Sequence, residues 1–299
     1  MFRLLVILLA LSMAFPRMVL ASAGRSSFVF LRIGSGSRPA SLAEAVTASG
    51  DDITSAFYNP ALLGAFSGKG QAVFMYNSYF SDVSQNYLGL AFKDNDLTIG
   101  GYLSLGKVAD FERRDDVPST TPLGNFDENN FIGALIISYE INGVDVGIAF
   151  KYAYEKIDYS SANAVMIDGG VRTNLNHEVA IGAAVKNIGT RPKFENKSYP
   201  LPNEYRLGLS YQPAFFQKAV EFTADAVFYS DIDPKYNFGV EYRHEQYFVL
   251  RAGYGADYDS RGLSVGGGLF YRTFRFDYAF VAYKNNLGNA HRFTVVAGF

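Results

Sequence analysis

From about Gln71 to Phe299 the chain alternates apolar and polar residues in period two, segment after segment, which is the signature of strands rather than helices. Tyr236, Phe238, Val240 and Tyr242 share one face; Asn237, Gly239, Glu241 and Arg243 share the other. The split recurs at Phe248, Leu250, Ala252 and Tyr254 against Val249, Arg251, Gly253 and Gly255, and again at Phe274, Phe276, Tyr278 and Phe280 against Arg275, Asp277, Ala279 and Val281. Such runs define fourteen candidate strands near 71–80, 84–93, 96–106, 130–141, 144–156, 163–174, 177–187, 203–213, 217–229, 235–243, 247–255, 261–271, 273–283 and 290–299. Most are about ten residues long, the length a tilted strand needs to cross a bilayer, where a soluble strand has about 5–6.

The connections supply an independent test. In an even-stranded barrel whose ends share one side of the membrane, short turns alternate with long loops. Asp94-Asn95-Asp96, Asn142-Gly143, Asn174-Leu175-Asn176 and Arg272-Thr273 all fall on even positions, and Asn-Gly is a strong hairpin signal. The longest connections, 107–129 and 188–202, fall on odd positions and are rich in Pro, Asn and charge, so any partner contact is expected there. The fold class is therefore all-β: a transmembrane antiparallel up-and-down barrel of about fourteen strands.

Cost decides which face meets lipid. Asp145, Lys151, Asp168, Arg172, Lys186, Arg206, Glu221, Asp225, Glu241, Arg251, Arg275 and Asp277 all lie on the less apolar side of their strands. A lipid-facing Arg or Lys costs ~2–4 kcal/mol at the bilayer midplane, so these side chains belong to a lumen. Their balanced signs predict pairing rather than a selective ion pore. Gly147, Gly170, Gly208, Gly239, Gly253, Gly266 and Gly268 share that side. Two readings fit them: something fills the lumen and approaches the wall closely, or the glycines relieve crowding in a narrow barrel. With no Trp in the chain, the aromatics at strand ends, Tyr79, Phe80, Tyr154, Tyr211, Tyr229, Tyr254 and Tyr283, would form the interfacial girdle.

Residues 1–23 read as a cleaved secretory signal: Arg3, an apolar run from Leu4 to Phe15, and Ala21-Ser22-Ala23 as the cleavage pattern. No stretch reaches the ~20 apolar residues of a spanning helix, so membrane crossing falls to strands. Residues 24–69 do not alternate and are expected to be a plug, with 70–299 the barrel. A helix is expected to start at Pro39 and run through Leu42, Ala45 and Val46; Asp51 and Asp52 are placed to cap a second turn, which Asn59-Pro60 ends.

Several chemistries are excluded. Lys+Arg 27 against Asp+Glu 29 leaves no basic footprint for nucleic acid. The absence of cysteine rules out a thiol-linked lipid anchor, disulfides and thiolate metal sites. His177, His244 and His291 each stand alone at a strand end, and no nucleophile elbow or phosphate loop is present, so neither cofactor, metal nor enzymatic activity is expected.

The blocks Phe30-Leu31-Arg32-Ile33-Gly34, Gly36-Ser37-Arg38-Pro39 and Asp51-Asp52-Ile53-Thr54-Ser55-Ala56-Phe57-Tyr58-Asn59-Pro60-Ala61-Leu62 resemble the signature of the PorV/PorQ family of outer-membrane proteins, relatives of the FadL-type transporters. Ala183-Ala184-Val185-Lys186-Asn187-Ile188-Gly189 and Leu201-Pro202-Asn203-Glu204-Tyr205-Arg206 are similar as well. Leu42-Ala43-Glu44-Ala45 departs from the pattern, which has Met-Gly before a small residue. The resemblance implies a bacterial outer-membrane barrel with its N-terminal segment inside as a hatch, the motif residues being Gly34, Gly36, Arg38, Asp51, Asp52, Asn59, Pro60 and Ala61. Phe293, Val295 and Phe299, on one face of the last strand, resemble the signal read by the barrel-insertion machinery. Beyond outer-membrane lipid, two sets of partners follow: secretion-system subunits and exported cargo if the barrel serves type IX-like protein export, the reading favoured by the resemblance, or a hydrophobic ligand if it is a FadL-like transporter. A transporter is expected to show an apolar space between hatch and wall near Phe28, Phe30, Ile33 and Phe57.

Overall fold

A computed structural model describes residues 26–79, 83–115 and 120–299. The expected signal segment and Phe80 lie outside them. Fourteen strands among the described residues close into one antiparallel barrel: β1 (Gly70–Ser78), β2 (Val83–Asp94), β3 (Leu97–Arg113), β4 (Gly124–Ile141), β5 (Val144–Ile157), β6 (Ser160–Asn174), β7 (Val179–Gly189), β10 (Glu204–Tyr211), β11 (Val220–Tyr229), β12 (Lys235–His244), β13 (Phe248–Ala256), β14 (Arg261–Tyr271), β15 (Phe274–Tyr283) and β16 (Asn289–Gly298). The first and last strands pair directly, Gln71 opposite Gly298 through Ser78 opposite His291, which removes every free edge from the wall. Between β7 and β10 a small hairpin, β8 (Lys193–Phe194) and β9 (Lys197–Ser198), stands outside the barrel sheet.

The alternation reads out as expected. Phe74, Leu88, Phe92, Ile99, Leu103, Leu135, Phe150, Val165, Phe238, Leu250, Leu269, Phe276 and Phe293 are exposed on the outer wall, a band that only an apolar surround accommodates. Their neighbours in sequence point inward and are buried or half-buried. At the tight-turn end, Asn142 and Gly143 take positive φ values of 53° and 78°, the pair required by a two-residue hairpin.

Two expectations about strand limits are corrected. β3 and β4 run to Arg113 and from Gly124, so most of the loop expected at 107–129 is a ribbon projecting past its neighbours. A bulge between Val108 and Phe111 lets the pairing continue, and Phe111 stacks on Phe126 at 5.4 Å. This ribbon lacks the alternation of the wall because its two faces are not divided between lipid and lumen. The strands expected at 203–213 and 217–229 instead end at Tyr211 and begin at Val220. Pro213 has no N–H to give the ladder, and a short 3-10 turn, Ala214–Phe216, follows it.

Residues 26–69 thread the lumen. The segment begins at the long-loop end, where the Ser27 N–H donates to the Pro200 carbonyl at 3.2 Å and Arg32 pairs with Asp231. It leaves at the tight-turn end, where Lys69 and Gly70 donate to the Phe299 carbonyl at 3.0 and 2.8 Å. Along it lie a 3-10 turn, Val29–Arg32; one short helix, α1 (Ser37–Ser41); and two further 3-10 turns, Ile53–Phe57 and Pro60–Gly64. The expected helix through Val46 is corrected: α1 starts two residues before Pro39 and stops at Ser41, because Ala43 and Glu44 take left-handed φ values of 52° and 66°.

Candidate functional site

The lumen is divided. Its wall has an ionic arc, built by β10 to β15, and an apolar arc, built by β1 to β6, with the plug wedged between them.

On the ionic arc, alternation aims charged side chains into the lumen, toward the plug. Arg38 of α1 donates through Nε to Glu241 on β12 at 2.9 Å and through NH2 to Glu221 on β11 at 3.0 Å and Ser49 Oγ at 2.7 Å. Asp225 on β11 accepts from the backbone N–H of Val46 and Thr47 at 3.1 and 3.0 Å and from Arg206 at 2.8 Å. Arg251 on β13 bridges Glu241 and Asp277, both at 2.7 Å. Arg275 on β15 gathers Asp51 at 2.7 Å, Asp277 at 2.6 Å and Asp52. Asp52 also caps its 3-10 turn, accepting from the Thr54 N–H at 2.8 Å; Asp51 serves the ion-pair network instead. The predicted lumen charges outside this arc are paired too: Lys151 with Asp168 at 2.7 Å, and Arg172 with Asp145 at 3.3 Å.

Charge-assisted hydrogen bonds also turn the strained backbone to use. The left-handed Ala43 and Glu44 direct their carbonyls to Arg261 at 2.9 Å and Arg206 at 2.6 Å. Each left-handed L-residue costs roughly 1–2 kcal/mol, which a bond to a guanidinium offsets.

The lumenal glycines mark where the plug touches the wall, which favours the filled-lumen reading. A Cβ at Gly147 would collide with the Pro60 backbone, at Gly170 with the Asn59 side chain, at Gly208 with Thr47, at Gly253 with Ala43 and at Gly266 with Ser41. Gly239 and Gly268 make room first for side chains of the wall itself, Thr223 and Asp277, with Leu42 of the plug 3.0 Å from the Gly239 position. Asn59 donates to the Thr47 and Val171 carbonyls at 2.8 and 3.1 Å while its Oδ1 caps the next turn at Ala61, so one side chain ties two plug turns to β6. Ser138 on β4 donates to the Ala61 carbonyl at 3.1 Å. Gly34 lies under Tyr58 Oη, and Gly36, at φ 89°, donates to Met75 Sδ at 2.9 Å.

On the apolar arc, Met75, Tyr87, Ala91, Tyr102, Ile132, Ile136, Ala149, Ala153, Ala162, Ala164 and Met166 form one cluster with Phe28, Phe30, Leu31, Ile53, Phe57, Leu63 and Phe66 of the plug. It runs the height of the lumen, from Phe28, edge-on to Phe194 of the outer hairpin at 6.1 Å, to Leu63 and Phe66 near the tight turns. The space expected around Phe28, Phe30 and Phe57 is packed by those side chains themselves, with Ile33 against its edge. Alternation indicated which wall residues face inward; it carried no sign that the apolar ones gather on six consecutive strands. Sequence reasoning also passed over Glu44, Glu204, Arg261 and Arg292; Arg292 sits between the exposed His291 and Phe293 in the alternation, whereas a register shift between Arg261 and Ser264 hides Arg261 from it.

At the tight-turn end a polar vestibule of about 320 Å³ opens beside Arg38, Asp51, Arg172, Glu178, Glu241 and Arg243. Of the expected insertion signal, Phe293 and Phe299 are exposed on the outer wall with Val295 between them half-buried, and Phe299 stacks edge-on to Phe92 at 5.9 Å. No group of three His, Asp or Glu side chains suited to a metal ion occurs among the described residues.

No protein-family model matches the sequence, and no curated protein matches it. The PorV/PorQ resemblance therefore has no support beyond its motifs. Solved structures do match in fold. They include the CymD monoaromatic hydrocarbon channel, with TM-score 0.66 and 11% identity over 89% of this chain and 98% of that one. The Ralstonia pickettii toluene transporter TbuX matches with TM-score 0.62 and 13% identity over 90% of this chain and 98% of that one. The Pseudomonas putida toluene transporter TodX gives 0.62 and 13% over 88% and 96%. These neighbours are channels and transporters, and the chain shares their fold, a closed antiparallel barrel.

Proposed function

We propose that the protein is an outer-membrane transporter of small hydrophobic molecules, with the apolar arc as its route and the plug as a door hung on the ionic arc. The observation that carries this reading is the unbroken apolar cluster along β1 to β6, from the Phe28–Phe194 contact to Leu63 and Phe66. A hydrophobic solute needs a largely apolar path, and the clustered side chains on this side of the lumen supply one. The opposite side holds the plug by ion pairs that are costly to break singly, which suits a fixed edge. The toluene transporters that share the fold support the same reading. A role in protein export, expected from the PorV/PorQ resemblance, draws on no comparable feature of the lumen. The test is binding and uptake of toluene. The full chain in detergent should bind it, and vesicles carrying the barrel should take it up faster when Phe30 is cut back (Phe30→Ala). Absence of toluene binding, together with recovery of the barrel in a crosslinked complex with secretion subunits, would overturn the reading.

A further inference from the structure

Six tight turns close one end of the barrel, and they are of two kinds. Residues 94–96, 140–143 and 174–178, between β2 and β7, expose the carboxylates of Asp94, Asp96 and Glu140 and contain no Lys, Arg, Phe or Tyr. The nearby Lys93 is turned inward, donating to the Gly64 carbonyl at 2.8 Å. Residues 212–219, 245–247 and 271–274, between β10 and β15, contain a single carboxylate, Glu245. They expose aromatic rings instead: Phe215 at 75%, Tyr271 at 63% and Tyr247 at 59%, with Phe216 and Phe274 beside them.

These rings continue the lipid-facing wall past the ends of the strands. Between ring centroids, the outward Tyr242 lies 6.5 Å from Phe248, Phe248 stacks on His244 at 4.9 Å, and His244 is 6.3 Å from Tyr247, a chain that leads off the wall to the turn. Phe276 and Phe274 stack at 6.4 Å on the way to Tyr271, whose face carries Arg272 at 5.5 Å. Beyond the stacked Tyr211 and Phe222, Phe215 and Phe216 lie 4.3 Å apart. Gln212, Lys218 and Ala219 of that turn line the polar vestibule and the two phenylalanines do not, so the pair is turned away from the lumen. At the level of the strand ends, aromatics go right round the barrel, Phe92, Tyr139 and Phe299 included; past that level only the β10 to β15 half carries them.

Depth indicates what covers them. The interfacial layer on each side of the hydrocarbon is about 5–8 Å thick. A strand advances about 3.3 Å per residue, so a ring two residues beyond the last outward wall position falls within that layer. Aromatic side chains gather there, with the ring against the acyl boundary and the polar edge at the headgroups. Exposed carboxylates gain nothing from it, since lipid phosphates repel them and water solvates them better.

We propose that the β10 to β15 turns dip into the phospholipid headgroup layer at the tight-turn end while the β2 to β7 turns stand in water, so that the barrel is tilted in its membrane with the ionic-arc side drawn in. The mouth under the apolar arc, at Leu63 and Phe66, then opens into water clear of the lipid surface. The inference needs the barrel alone and stands whether or not the transporter reading does. The chain contains no tryptophan, so each of three substitutions at exposed positions supplies a single reporter: Phe215→Trp, Tyr271→Trp and, on the other half, Leu175→Trp. The full chain is inserted into vesicles of phosphatidylethanolamine and phosphatidylglycerol brominated on the acyl carbons nearest the headgroup, with closure of each barrel checked by its heat-modified mobility. Phe215→Trp and Tyr271→Trp should emit at shorter wavelength than Leu175→Trp and lose most of their emission to bromine. Leu175→Trp should be spared by bromine and quenched by iodide supplied on both sides of the membrane. If Phe215→Trp does not fold, Phe216→Trp takes its place. Equal bromine quenching at all three positions would overturn the tilt, because an upright barrel immerses every turn alike. Iodide quenching without bromine quenching at Phe215 and Tyr271 would overturn the lipid contact and assign those turns to a protein partner instead.

Discussion

The two sides of the lumen hold the same plug by opposite means. On the β10 to β15 side the contacts are few, directional and charged: Arg38 to Glu241 at 2.9 Å, Arg206 to the Glu44 carbonyl at 2.6 Å, Arg275 to Asp51 at 2.7 Å. On the β1 to β6 side they are many and non-directional, with Phe57, Ile53 and Leu63 packed on Tyr102, Tyr87 and Ile132. Ion pairs inside a barrel break all at once or not at all, because each lost partner strands a buried charge. Apolar contacts can slide and be replaced one for another by a guest of similar character. For the plug to act as the door proposed above, the ionic edge would be the fixed one and the apolar edge the one that gives.

That contrast can be broken or sharpened by substitution. The largest effect is expected from Arg275→Ala, which leaves Asp52 without a cation and takes one partner each from Asp51 and Asp277; the cost should be about 3–5 kcal/mol, read as a lower unfolding midpoint and faster proteolysis within residues 26–69. If both measurements stay at wild-type values, the ionic arc is not the fixed edge. Next comes Met75→Ala, in the apolar arc, with a loss of about 2–3 kcal/mol for the emptied volume. Unlike Arg275→Ala, it should leave the plug protease-resistant while toluene uptake rises; equal uptake would remove the apolar arc as the route. Adding a methyl group at Gly147→Ala presses on the Pro60 backbone and should destabilise the barrel by about 1–2 kcal/mol, without affecting the ion pairs opposite. The smallest change is expected at Ala43→Gly, which relieves a left-handed φ of 52° and should stabilise by up to about 1 kcal/mol. A loss there would show that the Ala43 methyl contributes more by packing than its conformation costs.

Much of the wall was legible before any coordinates. Glu241 and Arg251 alternate with Val240 and Leu250, and lipid admits only one assignment of those faces, so strand direction, inward charges and parity of turns could all be read from spacing. The ribbon at Phe111 and Phe126 escaped because strands beyond the membrane are freed from that sorting, and Pro213 ended a strand that hydropathy alone would have continued. In the plug, Asp52 and Asn59 announced their capping by position, whereas α1 ended early at Ala43 and Glu44 for a reason that is not local: Arg206 and Arg261, over 160 residues away, take their carbonyls.

By itself, then, the sequence determined a closed cylinder with ionic side chains within, because a period-two pattern facing lipid has one low-energy solution. Only the tertiary structure decided who meets whom across the lumen. Arg38 reaches Glu221 and Glu241 at sequence separations of 183 and 203 residues, and Arg292 is left without a carboxylate among the described residues. Alternation specifies a direction for each side chain and says nothing about its opposite number. Closure of the barrel around the plug fixes those partners by bringing every inward residue within reach of the same narrow interior.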